Sequence, residues 1–359
     1  MHQMPFLEAL RQTVDSEVIC VHAEDVPADR IALGWSIPSA VGVKVMQPRE
    51  AESSRLLAAD GGDTFHLFSG IHCHPFVSAM FRKAMQLRLA TGVISEAHDG
   101  RGIRGFARRM RSRIDAIRYA SRIQVILAMG SLGVDWYRTA GFRPETIFPF
   151  AYVGSPQVLS PQAATTGDRP FSLAFVGQLI PRKGIDLLFR ALATLGELPW
   201  RLEIAGTGPL EPMLRDMATA EGISDRITWH GSLPNQAVGA MLASCDLLVL
   251  PSRFDGWGVV VNEALSAGTP VVCSDACGAA DLLATPQLGR TFRAASVQSL
   301  GLVIRQQLAQ GRPTGTTREL IRDRAAACSP GSVAGYFVKI TQAVRTHTDP
   351  PPPPWRFAV

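Results

Sequence analysis

The feature that most constrains the fold of this chain is a regular alternation of short apolar runs and helical patterns in its C-terminal half. Strands that alternate with helices at this spacing predict right-handed βαβ units and a parallel sheet covered on both faces. A ligand of such a doubly wound domain should bind at the carboxyl ends of the strands. The predicted strands are Phe171–Val176, Leu202–Ala205, Ile227–His230, Leu247–Leu250 and Val271–Cys273. The predicted helices are Ile185–Leu195, Pro209–Ala220, Asn235–Ser244 and Val259–Ala267.

The N-terminal half has the same character with a weaker pattern. A segment rich in Ser, Pro, Thr and Gly at 154–170 predicts a hinge linker between the halves. We therefore expect an α/β protein with two doubly wound, Rossmann-like domains facing across a cleft that can open and close. The expected domains are residues 1–160 and 161–332, followed by a C-terminal helix and a proline-rich tail at 333–359. The predicted N-terminal strands are Val18–His22, Val41–Val45, Phe65–Phe68, Gly92–Ser95 and Val125–Ala128.

Both ends of the chain depart from this plan. The sequence begins with a helical pattern, Pro5–Leu10, where a doubly wound domain normally begins with a central strand. We expect either that the natural start lies upstream or that the N-terminal domain is irregular. Near the other end, Pro350–Pro354 predict an extended polyproline stretch, with Trp355 and Phe357 as candidate anchors.

Composition indicates a globular protein of the cytoplasm. Apolar residues make up 46% of the 359 residues and charged residues 19%. No apolar run approaches the roughly 18 residues that a membrane span needs, and acids among the first thirty residues argue against a secretory signal. The six cysteines are scattered, and we expect the closest pair, Cys273 and Cys277, to be small apolar fillers in a reducing compartment.

Positive charge is concentrated between Arg101 and Arg122, where eight arginines face a single acid, Asp115. Apolar residues recur there every three or four positions, which is a helical stripe. One interpretation is a basic amphipathic helix on an anionic membrane at the inner face of the cell. We favour the alternative, that the stripe packs on the domain core while the arginines remain free to touch lipid headgroups. Nucleic acid is disfavoured, because no aromatic platforms interleave with the basic residues. The stripe consists of Ile103, Phe106, Met110, Ile114 and Ile117.

The segment 253–263 carries the clearest chemical signal. Asp255 lies on a loop beside Gly256 and Gly258, and Glu263 follows eight positions later on a predicted helix. The glycines allow backbone N–H groups to approach a ligand, and a helix N-terminus attracts phosphate. Two carboxylates around a phosphate seat suit a ligand with both phosphate and hydroxyl groups, such as a nucleotide sugar.

Five motifs in the same order and spacing resemble the family 4 (group 1) retaining glycosyltransferases of GT-B architecture. The N-terminal half matches more loosely, at Ile94–Asp99 and Ala128–Gly130. The resemblance implies transfer of a sugar from a nucleotide-diphosphate sugar to an acceptor hydroxyl with retention of anomeric configuration. The motifs are Val176–Ile185, Ile204–Pro209, Arg226–Gly231, the Asp255–Glu263 segment and Cys277–Asp281.

The resemblance also implies roles for single residues. Glu263 matches the glutamate that holds the ribose hydroxyls, and Asp255 replaces the glutamate near the donor sugar. Lys183 matches the lysine that neutralises the diphosphate, whereas the partner arginine is replaced by Gln178, with Arg182 as the nearest substitute. The implied catalytic residues are Lys183, Arg182, Asp255 and His98. The implied donor-binding residues are Gly177, Gln178, Gly256, Trp257, Gly258, Val259 and Glu263.

The expected chemistry uses no metal and no other cofactor. The chain has no Asp-x-Asp triplet to bridge a metal to a diphosphate, and His72 and His74 are interpreted as loop residues. Protein cations and loop amides would stabilise the leaving diphosphate. We expect front-face attack, in which the leaving phosphate oxygen accepts the proton of the acceptor.

The leading hypothesis is a metal-independent retaining hexosyltransferase that uses a glycan or lipid-linked acceptor. Surface polysaccharide or glycolipid biosynthesis, with possible peripheral contact to anionic membrane through Arg101–Arg122, is the expected setting. Two alternatives stay open: a GT-B phosphorylase or sugar-nucleotide epimerase, and a non-catalytic binding paralogue. The sequence leaves the donor base, the sugar, the acceptor and the linkage undetermined.

Overall fold

The computed structural model describes residues 3–22, 41–47, 50–58, 62–153 and 169–356, which form two compact units. Unit 1 combines the described residues up to Val153 with the segment 330–354, and unit 2 contains the described residues from 169 to 329 together with Trp355 and Arg356. The predicted linker at 154–170 lies outside the described residues except for Arg169 and Pro170.

Unit 2 is built on a six-stranded parallel sheet with the order β12-β11-β10-β7-β8-β9. The chain lays strands β7, β8 and β9 toward one edge and then crosses back to lay β10, β11 and β12 toward the other. The predicted doubly wound sheet is therefore confirmed. Its strands are β7 (Phe171–Val176), β8 (Trp200–Ala205), β9 (Ile227–Gly231), β10 (Leu247–Leu250), β11 (Val271–Ser274) and β12 (Gly289–Phe292).

The core of unit 2 lies where helices pack on this sheet. Leu173 and Phe175 of β7 and Leu202 of β8 are fully buried, and Leu188 and Phe189 of the first following helix pack against them. All four helices predicted for this half are present. Numbered in chain order, the helices of unit 2 are α6 (Ile185–Ala193), α7 (Glu211–Ala220), α8 (Asn235–Ser244), α9 (Val260–Ser266), α10 (Val297–Gln310) and α11 (Gly315–Ala325).

Unit 1 also contains parallel strands, in two separate groups among its described residues. Strands β3, β4, β5 and β6 form one sheet in that order, and β1 pairs with β2. The strands are β1 (Val18–Val21), β2 (Val43–Met46), β3 (His66–Phe68), β4 (Thr91–Ser95), β5 (Val125–Met129) and β6 (Ile147–Phe150). The helices are α1 (Met4–Thr13), α2 (Glu50–Ala58), α3 (Pro75–Leu87), α4 (Gly102–Tyr119), α5 (Gly130–Ala140) and α12 (Pro330–Thr346).

Aromatic contacts join the two ends of the chain within unit 1. Phe6 of α1 meets Phe337 of α12 edge to face, with ring centroids 5.7 Å apart. Phe6 also meets Phe150 at 5.5 Å, and Phe150 stacks on Tyr336 at 6.4 Å. Helix α12 therefore belongs to the packing of the N-terminal strands, although it follows unit 2 in sequence.

One expectation about packing is wrong. The apolar stripe of α4 does not face the core: Ile103, Phe106, Ile114 and Ile117 are exposed. The buried positions of α4 include Gly105, Asp115, Ala116 and Tyr119, on the opposite side of the helix. The face that packs inward is built from small residues, one paired acid and a tyrosine, which apolar periodicity does not detect.

Three further predictions concern the cysteines, the C-terminal tail and membrane-spanning helices. Cys273 and Cys277 are buried, and all six cysteines are free thiols. Trp355 is buried, while Phe357 lies outside the described residues. Among the helices that the structure describes, none is long and apolar enough to cross a bilayer.

Candidate functional site

The strand order of unit 2 marks one point on its sheet as a ligand site. Strands β7 and β10 are parallel neighbours, but the chain leaves β7 toward β8 and leaves β10 toward β11, so the winding direction reverses between them. The loops that follow the two strands diverge at this reversal, and ligands of doubly wound sheets bind in the resulting crevice. Most of the candidate residues lie on these two loops.

The loop after β7 carries the two candidate cations. Gly177 and Gln178 follow the strand directly, and Gln178 is exposed. A 3-10 turn, Pro181–Lys183, then leads to Gly184, which caps α6. Gly184 has φ +68°, and an added Cβ would overlap the carbonyl oxygen of Pro251. The loop after β7 therefore lies directly against the loop after β10.

The loop after β10 holds Asp255 in a buried position. Its amide donates to the carbonyl of Ala276 at 2.9 Å, and its own carbonyl accepts from the amide of Gly278 at 3.1 Å. These two bonds form an isolated parallel bridge to the segment that follows β11. The bridge thus fixes the backbone on both sides of the Asp255 carboxylate.

Asp255 joins the two loops through charge. Its Oδ2 atom lies 2.5 Å from Nζ of Lys183, and its Oδ1 atom lies 3.4 Å from Nη1 of Arg182. Ser252 also donates to Oδ2 at 3.3 Å. Two cations therefore share one buried carboxylate, which leaves the cluster with an excess of positive charge.

A second ion pair clamps the same loops together. Arg253 donates to both carboxylate oxygens of Asp186 at 2.7 and 2.6 Å and to the carbonyl of Pro181 at 2.8 Å. Burial raises the pKa of Asp186, but the hydrogen bonds and charge of Arg253 outweigh that effect and hold the pKa below its ordinary value. This ion pair and the bond to Pro181 fix the position of the 3-10 turn that carries Lys183.

The remaining donor candidates follow Asp255 into α9. Gly258 has φ +95°, and an added Cβ would press on Cys277 and Leu250. Trp257 is fully buried: its indole donates to Asn262 at 2.8 Å, and its carbonyl accepts from the amide of Ala279 at 2.8 Å. Val259 is the residue that caps α9.

Glu263 lies in the first turn of α9 and is half-buried. Burial raises the pKa of its carboxyl group. A carboxylate in such a place gains from hydroxyl donors, because they replace the water that the ionised group has lost.

His98 lies in unit 1, after the carboxyl end of β4, whereas the other candidates lie in unit 2. Its ring meets Trp136 edge to face at 5.5 Å. Partial burial and then the positive charges of Arg108 and His72 lower the pKa of His98, which favours the neutral imidazole. A neutral imidazole can both donate and accept a hydrogen bond.

The histidines at 72 and 74 have structural contacts. His72 pairs through Nε2 with buried Asp115, at 2.9 Å, and His74 accepts from the amide of Phe76 at the start of α3. Within the described ranges, no group of three or more metal-binding side chains is present.

Sequence reasoning missed three residues at the site: Ser252, Arg253 and Asp186. Ser252 and Arg253 could have been found by position, because they are the second and third residues after the carboxyl end of β10. Asp186 could not have been found in this way, because its partner Arg253 lies 67 residues away in the chain.

Comparison with known proteins agrees with this geometry. Residues 160–325 match the family model for glycosyl transferases group 1. This part of the chain belongs to the group 1 glycosyltransferases. Among curated relatives, the alpha-D-kanosaminyltransferase of Streptomyces kanamyceticus is 33% identical over 118 residues, or 32% of this chain and 30% of that protein.

A GDP-mannose-dependent phosphatidylinositol monomannoside mannosyltransferase of Mycolicibacterium smegmatis is 30% identical over 155 residues, covering 41% of this chain and 40% of that protein. The chain thus spans less than half the length of the curated relatives it matches. Among solved structures, HepE of Anabaena in complex with UDP aligns with a TM-score of 0.68 at 16% identity, over 91% of this chain and 100% of that one. This protein therefore has the GT-B fold.

Proposed function

We propose that this protein transfers a hexose from a nucleotide-diphosphate sugar to an acceptor hydroxyl and retains the anomeric configuration. The observation that carries the proposal is the cluster of Lys183, Arg182 and Asp255 at the winding reversal between β7 and β10. UDP in the Anabaena structure and GDP-mannose in the name of the mycobacterial relative support a nucleotide-sugar donor.

The cations would stabilise the leaving diphosphate. Cleavage of a glycosyl–phosphate bond places negative charge on the β-phosphate, and a preorganised cation stabilises that charge more than it stabilises the substrate. Lys183 is held by Asp255 in the structure, so its ammonium is already ordered. Arg182 would take the place of the arginine that Gln178 replaces in the family pattern. The reaction would then require no metal ion.

The two carboxylates would each bind a different part of the donor. Glu263 would accept hydrogen bonds from the ribose hydroxyls, and Asp255 would face the hydroxyls of the sugar. We infer front-face attack, in which the acceptor oxygen forms its bond to the anomeric carbon while the bond to the phosphate oxygen breaks. The acceptor proton passes to that phosphate oxygen, and His98 would contact the sugar or the acceptor.

For the acceptor we propose a glycan or a lipid-linked saccharide used in surface polysaccharide or glycolipid biosynthesis. The lipid named in the mycobacterial relative and the arginine-rich segment 101–122 support this class. An acceptor of this kind would place the enzyme in the cytoplasm, at the periphery of the inner face of a membrane.

A panel of nucleotide sugars tests the proposal. The expected result is release of nucleoside diphosphate from one donor in the presence of EDTA, at a rate that an acceptor increases. Lys183→Ala should reduce this rate by at least 100-fold, about the effect of removing one charge-stabilising donor, while Arg190→Ala on the exposed side of α6 should not change it. NMR of the product should show the donor's anomeric configuration.

The same panel distinguishes the alternatives. Phosphate-dependent formation of a sugar phosphate would indicate a phosphorylase, and conversion of one nucleotide sugar into its epimer would indicate an epimerase. Nucleotide binding without turnover of any donor would indicate a binding paralogue. Any of these three results would refute the proposed transfer.

A further inference from the structure

Helix α4 carries a continuous apolar stripe on its solvent side. Ile103 is 89% exposed and Ile117 is 88% exposed, and between them Ile114 and Phe106 are 62% and 59% exposed. Exposed apolar side chains at single positions are ordinary, but large ones that line up along one helix mark an interaction surface.

The helical period shows that these residues form one face. At about 100° per residue, Ile103, Phe106, Met110, Ile114 and Ile117 fall within an arc of about 80°. The buried residues Gly105, Asp115, Ala116 and Tyr119 are centred on the opposite side. The stripe runs for about 21 Å along the helix axis, at about 1.5 Å per residue.

Arginines border the stripe on both sides. Arg104, Arg111 and Arg118 recur every seven residues along one border, and Arg113 lies on the other. All four are exposed. The acid of the helix, Asp115, is buried and paired with His72, so it does not neutralise this surface.

We propose that the solvent side of α4, defined by the stripe and its bordering arginines, lies in the interface of an anionic phospholipid membrane. The apolar side chains would enter the boundary between headgroups and acyl chains, and the arginines would contact the lipid phosphates. A bilayer surface offers apolar volume and negative charge side by side, and it is parallel to a helix that lies flat.

Charge complementarity favours this occupant over the alternatives. A second copy of the chain that docked through the same face would bring two rows of arginine together. A nucleic acid would satisfy the arginines but leave Ile103 and Ile117 in water. The inference stands on the surface of α4 and does not depend on the proposed transfer reaction.

Vesicle sedimentation with the full chain tests the inference. The protein should bind vesicles of phosphatidylcholine with 30% phosphatidylglycerol and should bind pure phosphatidylcholine at least tenfold more weakly. Binding should weaken as salt rises, because the phosphate contacts are exposed to screening. The double variant Phe106→Ser with Ile117→Ser should lose at least tenfold in affinity for the anionic vesicles.

Controls separate this surface from folding and from catalysis. Leu302→Ser removes an exposed apolar side chain of α10 in unit 2 and should leave vesicle binding unchanged. The double variant should keep the wild-type melting temperature and the wild-type rate of donor turnover with a water-soluble acceptor. A failure of turnover in every variant, including the wild type, would count against the proposed function and not against the membrane surface.

Three outcomes would overturn the inference. They are equal binding to neutral and anionic vesicles, unchanged binding of the double variant, and a wild-type dimer in light scattering that the double variant converts to a monomer. The last outcome would show that a second copy covers the stripe.

Discussion

Removal of the charge on Asp255 tests how the cluster between β7 and β10 is held. In Asp255→Asn the side chain keeps its shape but loses the ion pair with Lys183 at 2.5 Å and the weaker one with Arg182 at 3.4 Å. Asp255 is buried and the Lys183 side chain is only 13% exposed, so an ammonium is left nearly buried without its counter-ion. Breaking a buried pair from one side costs about 3–5 kcal/mol.

The lower end of that range applies, because the asparagine oxygen can still accept hydrogen bonds from Lys183 and Ser252. A loss of about 3 kcal/mol in a domain the size of unit 2 lowers its melting temperature by about 6–12 °C. A nucleoside diphosphate supplies the missing negative charge to Lys183. It should therefore raise the melting temperature of Asp255→Asn more than that of the wild type.

Differential scanning fluorimetry with and without a nucleoside diphosphate measures both effects. Asp216→Asn, on the exposed side of α7, is the matched control and should melt and respond like the wild type. A wild-type melting temperature for Asp255→Asn would refute the ion-pair reasoning. An equal or smaller response to the nucleotide would show that Lys183 is not the group that receives the diphosphate.

Three further predictions concern pH, stability and loop contact. Burial raises the pKa of Glu263, so its ionised form destabilises the folded state. The free energy of unfolding should therefore fall as pH rises from about 4.3, the ordinary glutamate pKa, through the raised pKa of Glu263. Glu263→Gln should remove that fall in urea titrations over a pH series, and an unchanged pH profile would contradict the assignment. Asp246 is buried at the amino end of β10 and accepts from Arg169 at 2.7 and 2.8 Å, so Asp246→Asn should lower the free energy of unfolding by about 3 kcal/mol with no change in the nucleotide Kd. Gly184 has a left-handed backbone conformation, and the new Cβ of Gly184→Ala would overlap the carbonyl oxygen of Pro251. The substitution should therefore destabilise the protein by about 2 kcal/mol or more, and a wild-type stability in urea would refute that contact.

The sheet of unit 2 was predictable because its central strands are buried on both faces and therefore read as continuous apolar runs. Strands β7 and β10 have the predicted bounds, and β8, β9 and β11 differ by one or two residues. The missed strand β12 lies at the edge of its sheet, and its consecutive polar residues Arg290 and Thr291 leave it without an apolar run.

The missed strand of unit 1 has a related cause. Strand β6 contains Pro149, which cannot donate a backbone hydrogen bond and would argue against a central strand. The strand lies at the edge of its sheet, where one side of the backbone needs no partner strand. The proline therefore concealed β6 from the sequence pattern, although Ile147, Phe148 and Phe150 are buried.

The sequence also predicted one part of the candidate site and not the other. The loops that carry Lys183, Asp255 and Glu263 follow from strand ends and motif spacing. The pairing of Lys183 with Asp255 across 72 residues does not, because long-range side-chain contacts are set by the fold and not by local pattern. The exposure of Ile103 and Ile117 was also not predictable, since periodicity identifies an apolar face without showing what covers it.

The central claim is that the crevice between the loops after β7 and β10 binds the nucleotide-diphosphate sugar. Hydrogen–deuterium exchange of the wild-type protein, with and without the donor that it turns over, tests this claim directly. The account predicts donor-dependent protection of the backbone amides at 177–184 and 255–263, and loss of that protection in Lys183→Ala. Protection confined to other segments, or equal protection in the variant, would contradict it.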